Sequence, residues 1–264
     1  MEKKNIIAVI GTKGGVGKST ISAQIATFAL ASAGAKFEMF EMDNNNKTAK
    51  ALDKSELLEG KFKTLNLDAS DAELEKIFLN LAVSDDGKKY IIDVGGGDDT
   101  NRFLELIRRN HLTEQTLFIA PFMPNFESLD NLESTILKIK DYDYLVVLNN
   151  VNTKESDEMM FANGDDEYEI LNMSELLGQK FFILPKSHLF SLCVARYHQV
   201  IWDVHAAAKE VNIAQVAKSE KFREMGEQER RTYFRRFKLA EEIREYVDRE
   251  EVRKFITTIQ KKLT

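Results

Sequence analysis

The sequence predicts an α/β fold: a mostly parallel sheet with helices on both faces, followed by a helical C-terminal extension. Three observations carry this. Six short apolar runs alternate with helix-period segments, the pattern of a parallel sheet covered on both sides. Two of the runs, Ile6-Ile-Ala-Val-Ile10 and Tyr144-Leu-Val-Val-Leu148, are apolar throughout, as strands buried on both faces must be. From about residue 206 the chain is charged and helix-like to its end, with no strand signal. The 264 residues suffice for one large domain with a sizeable core. A single domain over 1–264 is expected, with 206–264 as its extension.

The elements follow in order. The first strand, Ile6–Ile10, ends at Gly11. It is short and lacks a small-residue cleavage site, so it reads as a strand and not as a signal peptide. A helical run covers Ile21–Ala33. Strands are expected at Phe37–Met42, Phe62–Leu67 and Tyr90–Val94. A helix is expected from Asn101 to Arg109, with Asp98 and Asp99 placed to cap it. Further strands fall at Thr116–Ala120 and Tyr144–Leu148, with Phe181–Leu184 as a seventh candidate. Glu155–Glu169 carries seven acids and no base and reads as an exposed loop.

Composition narrows the function. Hydrophobic residues are 43% and charged residues 30%, ordinary for a globular protein. The net charge of −6 excludes a globally basic nucleic-acid binder, though not a local basic patch. One cysteine, Cys193, excludes an internal disulfide framework and a four-thiolate metal centre held by one chain. His111, His188, His198 and His205 are scattered without metal-ligand spacing. No run approaches the ~18 apolar residues of a membrane span. A cytoplasmic protein is expected.

The strongest motif is Gly11-Thr-Lys-Gly-Gly-Val-Gly-Lys-Ser-Thr20. It fits G-x-x-x-x-G-K-S/T, directly after a strand and before a helical run, the context in which that pattern binds phosphate. Glycines at 14, 15 and 17 let successive backbone N–H groups, with those of Val16 and Thr20, turn toward a nucleotide's phosphates. The helix N-terminus adds partial positive charge. Lys18 is placed to bridge the β- and γ-phosphates, and the Ser19 hydroxyl to ligate Mg²⁺. The expected cofactors are ATP and Mg²⁺.

A second lysine, Lys13, has no role in an ordinary phosphate loop. The form Lys13-Gly-Gly-x-Gly-Lys-Ser19 resembles the deviant Walker motif of the ParA/MinD superfamily of P-loop ATPases. The resemblance implies that Lys13 reaches across an ATP-dependent homodimer to the partner's phosphates, as an arginine finger does. It extends over about residues 5–205. Glu41 and Asp43, at the end of the second strand, stand where the family carries an Asp-x-Asp switch. Asp43 would then position the attacking water or hold it through Mg²⁺; an Asn-rich turn over Asn44–Asn46 is the alternative. Tyr90-Ile-Ile-Asp93-Val-Gly-Gly-Gly97 resembles the Walker B element. Asp93 would reach Mg²⁺, with Gly95 and Gly96 approaching the γ-phosphate. Asn149 resembles the adenine-reading asparagine of the family, and Pro185 its late proline near the base; both residue types also simply end strands.

Residues 221–238 hold seven bases against three acids, interleaved with Phe222, Tyr233, Phe234 and Phe237. The family resemblance implies ATP-dependent, non-specific DNA binding through C-terminal bases, here Arg230, Arg231, Arg235 and Arg236. A solvated helix is the alternative. Val252, Phe255, Ile256, Ile259 and Leu263 lie at helical spacing and read as a stripe docked on the domain, with a MinD-like membrane helix as the other possibility. The expected function is a slowly hydrolysing dimeric ATPase switch for plasmid or DNA-cargo partition, stimulated by an adaptor protein. The alternatives are a membrane-associated positioning ATPase and an assembly factor of a conjugation complex.

Overall fold

A computed structural model describes residues 4–43, 48–65, 71–82, 87–154, 156–163, 172–209 and 219–263. Strands β1 (Ile6–Val9), β2 (Phe37–Met42), β3 (Phe62–Thr64), β4 (Lys89–Val94), β5 (Thr116–Phe122), β6 (Tyr144–Val151) and β7 (Phe181–Pro185) form one sheet in the order β3-β2-β4-β1-β5-β6-β7. Every pairing is parallel. The chain winds from β1 outward to β3, returns to β4 and then builds the other wing. This reversal beside β1 opens a crevice at the carboxyl ends of β1, β2 and β4.

Helix α1 begins at Lys18–Thr20, passes through a π-helical stretch at Ile21–Ala26 and ends at Thr27–Ser32. It therefore starts three residues earlier than its apolar periodicity suggests, because Lys18, Ser19 and Thr20 are polar and add nothing to the apolar period. The next helices are α2 (Thr48–Ala51), α3 (Asp71–Ala82), α4 (Asp98–Arg109), α5 (Phe126–Ile139), α6 (Ser156–Asn163) and α7 (Met173–Leu177). Then come α8 (Leu189–Leu192, continued as a π-helical turn over Cys193–Tyr197), α9 (Ile201–Lys209), α10 (Glu220–Glu224), α11 (Glu227–Val247) and α12 (Glu250–Leu263).

Strand alternation divides the core into two layers. Ile7, Val9, Met39, Ile91, Ile119, Val147 and Leu184 face one layer, closed by α1, α8, α9, α11 and α12. Ile6, Ala8, Ile10, Ile92, Phe118, Val146 and Leu148 face the other, closed by α3 to α7. The expected stripe of α12 is buried: Val252, Phe255, Ile259 and Leu263 are fully enclosed, and the Phe255 ring lies 5.1 Å from that of Phe182. Lys262 reaches both Asp143 carboxylate oxygens at 2.8 and 2.9 Å, and Gln260 Nε2 donates to the Ala29 carbonyl at 3.0 Å.

Several expectations are corrected. The acidic segment is not a loop over 156–163: it forms α6, whose Phe161 and Ala162 are buried in the second layer, while residues 155 and 164–169 of the expected loop lie outside the described residues. Asp98 and Asp99 lie in the first turn of α4; the residue before it is Gly97, and no side chain caps that end. β5 runs on through Pro121 to Phe122. The proline is tolerated because β1 pairs with β5 only as far as Val9 opposite Ile119. β3 ends at Thr64, and residues 66 and 67 of the expected strand lie outside the described residues.

Candidate functional site

The loop from Gly11 to Gly17 leaves β1 and turns into α1 under three constraints. Gly15 has φ +78° and Gly17 φ +95°, left-handed conformations that strain any residue with a side chain. A Cβ on Gly17 would stand 1.9 Å from Asn149 Nδ2. The loop's first half is held by α5: the Thr12 hydroxyl donates to the Asn131 carbonyl at 3.1 Å, and Thr12 N–H donates to Thr135 Oγ1 at 3.3 Å. The Gly95–Gly97 turn after β4 closes on the same stretch. Gly97 N–H donates to the Thr12 carbonyl at 2.9 Å, and a Cβ on Gly96 would come within 3.3 Å of Gly14 N. Thr100 Oγ1 links the two turns, reaching the carbonyls of Gly11 and Gly95.

Lys18 is buried, and its Nζ donates to the Lys13 carbonyl at 2.8 Å, curling the loop around it. Burial lowers its pKa, while Asp93, Asp43 and Asp99 pull it back up. So three carboxylates converge on one ammonium. Asp93 is the penultimate residue of β4 and is 1% exposed. Burial raises its carboxyl to about 7, against the Ser19 hydroxyl and the Lys18 charge; the Glu41 carboxylate raises it further. Its Oδ2 has no hydrogen-bond partner, and the fully buried Ser22 Oγ beside it completes none. A buried acceptor left open next to a serine hydroxyl and a phosphate-type loop fits the hydrated Mg²⁺ of a bound nucleotide. Lys18, Ser19 and the loop amides fit its phosphates. Beside them a cavity of about 260 Å³ is lined by Ser19, Thr20, Gln24, Thr48, Phe190 and Ser191.

The structure brings Lys13, Lys18, Ser19, Asp43, Asp93, Gly95 and Gly96 to the crevice at one end of the sheet. Lys13 points back into its own chain, pairing with Glu127 Oε1 at 2.5 Å. Asn149 is buried and donates through Nδ2 to the Val16 carbonyl at 3.0 Å, so its amide braces the loop here. Pro185 is buried, and its carbonyl accepts from the Tyr246 hydroxyl at 3.0 Å. Cys193 is an enclosed packing residue whose thiol burial pushes up to about 12.

The four candidate arginines of α11 do not form one open face. Arg230 donates to the carbonyls of Met225 and Arg223. Arg236 donates to Gln199 Oε1 at 3.0 Å and lies over the Tyr197 ring. Both are spent on the fold. Arg231 and Arg235 are exposed one helical turn apart, Arg231 paired with Glu227, and Lys238 continues the stripe. Sequence reasoning missed Glu127, Ser22 and the Thr12 clamp. Only Ser22 left a signal, three residues after Ser19 and hence on the same helix face.

Comparison with known proteins follows the same lines. Residues 7–200 match the CbiA family, described as the CobQ/CobB/MinD/ParA nucleotide binding domain. No curated protein sequence matches. Similar solved structures include the MinC:MinD cell division protein complex of Aquifex aeolicus, at 16% identity over 76% of this chain and 88% of that one, TM-score 0.52. MinD alone from the same organism gives 19% identity over 75% and 89%, TM-score 0.50. Apo McdA of Cyanthece gives 12% over 76% and 93%, TM-score 0.53. At these identities the structural likeness speaks for the fold.

Proposed function

The chain belongs to the CobQ/CobB/MinD/ParA nucleotide-binding family, and on that premise we propose that it is a slow ATPase switch that dimerises on ATP and binds DNA without sequence preference. Partition of a plasmid or positioning of another DNA cargo is the role this serves. The observation that carries the reading is the convergence of Lys18, Ser19, Asp43 and Asp93 beneath a loop bearing the additional Lys13. Lys18 and the loop amides hold the phosphates. Ser19 and Asp93 would hold Mg²⁺, a role that the open acceptor on buried Asp93 fits. Bound Mg·ATP supplies a phosphoanhydride whose charge the metal offsets. Asp43 orients the attacking water, and Gly95 and Gly96 sense the γ-phosphate through their backbone.

Lys13 acts in trans in this proposal. It must leave Glu127 and reach the phosphates of a second protomer. An exposed pair of this kind holds by about 0–1 kcal/mol, so the exchange is cheap. The DNA contact falls to Arg231, Arg235 and Lys238, since Arg230 and Arg236 are committed within the fold. A protein partner that stimulates turnover is part of the proposal; that a MinD has been solved with MinC supports partner binding on this fold. The membrane reading is less favoured, because α12 would have to withdraw Val252, Phe255, Ile259 and Leu263 from the core.

The test is binding to duplex DNA of arbitrary sequence with ATP and with ADP over a salt series. Binding that requires ATP, weakens steeply with salt and is abolished in Lys13→Ala supports the clamp. No binding with either nucleotide refutes the DNA role and turns the search to protein partners.

A further inference from the structure

We propose that the groove between α12 and the turn leading into β7 docks a short extended segment of a partner protein, one that alternates acidic and apolar side chains. The apolar stripe of α12 faces the core, so the opposite face is the polar one. Arg253, Thr257 and Lys261 follow one another there at four-residue spacing, with Lys254 beside them. Lys180, the last residue of the turn after α7, lines the same cavity of about 980 Å³. Leu145 and Leu177 supply the apolar part of the lining. Leu145 is 2% exposed whereas the bases are open to solvent, so the cavity has an apolar floor and a basic rim. It lies at the amino ends of β6 and β7, and the nucleotide crevice lies at the carboxyl ends of the same parallel sheet. The two surfaces are therefore separate.

The charge of this groove is uncompensated. Among the described residues, Lys262 is the one lining base held in an ion pair, with Asp143 at 2.8 Å, and Glu250 is the one lining acid. Lys180 Nζ stands 4.2 Å from the centre of the Tyr144 ring, and Lys254 Nζ 5.9 Å from that of Phe182. Both rings are buried in the sheet, so they fix the two ammoniums without neutralising them. On a chain of net charge −6, this local concentration of cations selects an anionic partner. Shape decides its form. Duplex DNA presents phosphates on a convex surface, which meets the rim and leaves the floor unfilled. From Arg253 to Lys261 the helix rises about 12 Å, the span of about four extended residues. Successive side chains of an extended segment point to opposite sides, so alternation puts alkyl groups on Leu145 and Leu177 while carboxylates meet the rim. Val252, Phe255, Ile259 and Leu263 hold α12 to the domain, so the groove is formed before a partner arrives.

The probe is a fluorescein-labelled peptide of about eight residues that alternates glutamate and leucine, long enough to overhang the groove. Its fluorescence anisotropy is read with the full chain, without nucleotide, over a salt series. The expected result is binding that weakens with salt and falls about tenfold in the double change Arg253→Ala, Lys261→Ala. A peptide with serine in place of leucine should bind about tenfold more weakly, since it leaves the floor unfilled. Both altered residues are exposed and lie outside the nucleotide crevice, so the thermal midpoint should not move. The reversal Arg253→Glu, Lys261→Glu should prefer a lysine–leucine peptide to the glutamate–leucine one. No binding of the glutamate–leucine peptide by the unaltered chain would overturn the proposal. So would an affinity that the alanine changes leave within about twofold. Equal binding of the serine peptide, with arbitrary duplex DNA lost in the same double variant, would overturn it in favour of a phosphate-backbone surface.

Discussion

At Asp93, burial holds a carboxyl at about 7 in the folded chain, against 3.8 for the free group. The sign of the linkage follows. Between those values the folded state keeps a proton that the unfolded state has released, so stability falls as pH rises from about 4 through about 7 and is level above. Asp93→Asn removes the charge, and its thermal midpoint should no longer show that fall; equal pH dependence in both proteins would show that Asp93 is not the group. Mg²⁺ needs the ionised carboxylate, so Mg·ATP binding at pH 6.5 should release a proton in the unaltered chain and none in D93N. Calorimetry in buffers of different ionisation enthalpy reads this directly. Lys18→Ala should abolish nucleotide binding, because no other buried cation among the described residues enters the loop; retained micromolar affinity would refute the phosphate-loop assignment. Asp43→Ala should keep ATP binding and stop turnover.

Among the elements, α11 divides its arginines between two tasks. Arg231 and Arg235 face solvent, whereas Arg230 and Arg236 close hydrogen bonds to Met225, Arg223 and Gln199. The double change Arg231→Ala, Arg235→Ala should leave the thermal midpoint unchanged and lower the salt slope of DNA binding by about 2, one for each phosphate no longer neutralised. Arg236→Ala should cost about 1 kcal/mol of stability by removing the bond to Gln199, read as a lower urea midpoint. Helical spacing alone made these four residues equivalent. It was their neighbours, the Met225 turn and the Gln199 loop, that separated them. In α6 the same lesson applies: acid content suggested a loop, but Phe161 and Ala162 give the segment an apolar face to bury.

At the scale of the whole molecule, the C-terminal helices form a large part of one core layer. α12 packs on β7 and α1, and the Tyr246 hydroxyl of α11 secures the Pro185 carbonyl at the end of β7. Phe255→Ala should therefore cost about 3–5 kcal/mol, the range for an enclosed aromatic, and lower the cooperative transition of the whole chain. A small local effect with an unchanged global transition would show α12 to be a detachable appendage.

The parallel sheet and the glycine loop between β1 and α1 were legible from residues 6–10 and 11–20 alone. A continuous apolar run, two left-handed glycines and a Lys-Ser pair are local requirements, and local requirements are written into consecutive residues. The order of the strands follows no such rule, since β1 pairs with β4 and β5 only after the chain has turned back on itself. The partners of individual polar groups were likewise decided by tertiary structure. Lys13 meets Glu127, Asn149 meets Val16 and Glu41 meets Thr48 because the sheet gathers distant strand ends into one crevice. Burial there sets which carboxylate holds its proton, and contacts along α11 set which arginine faces solvent; both are properties of the assembled fold.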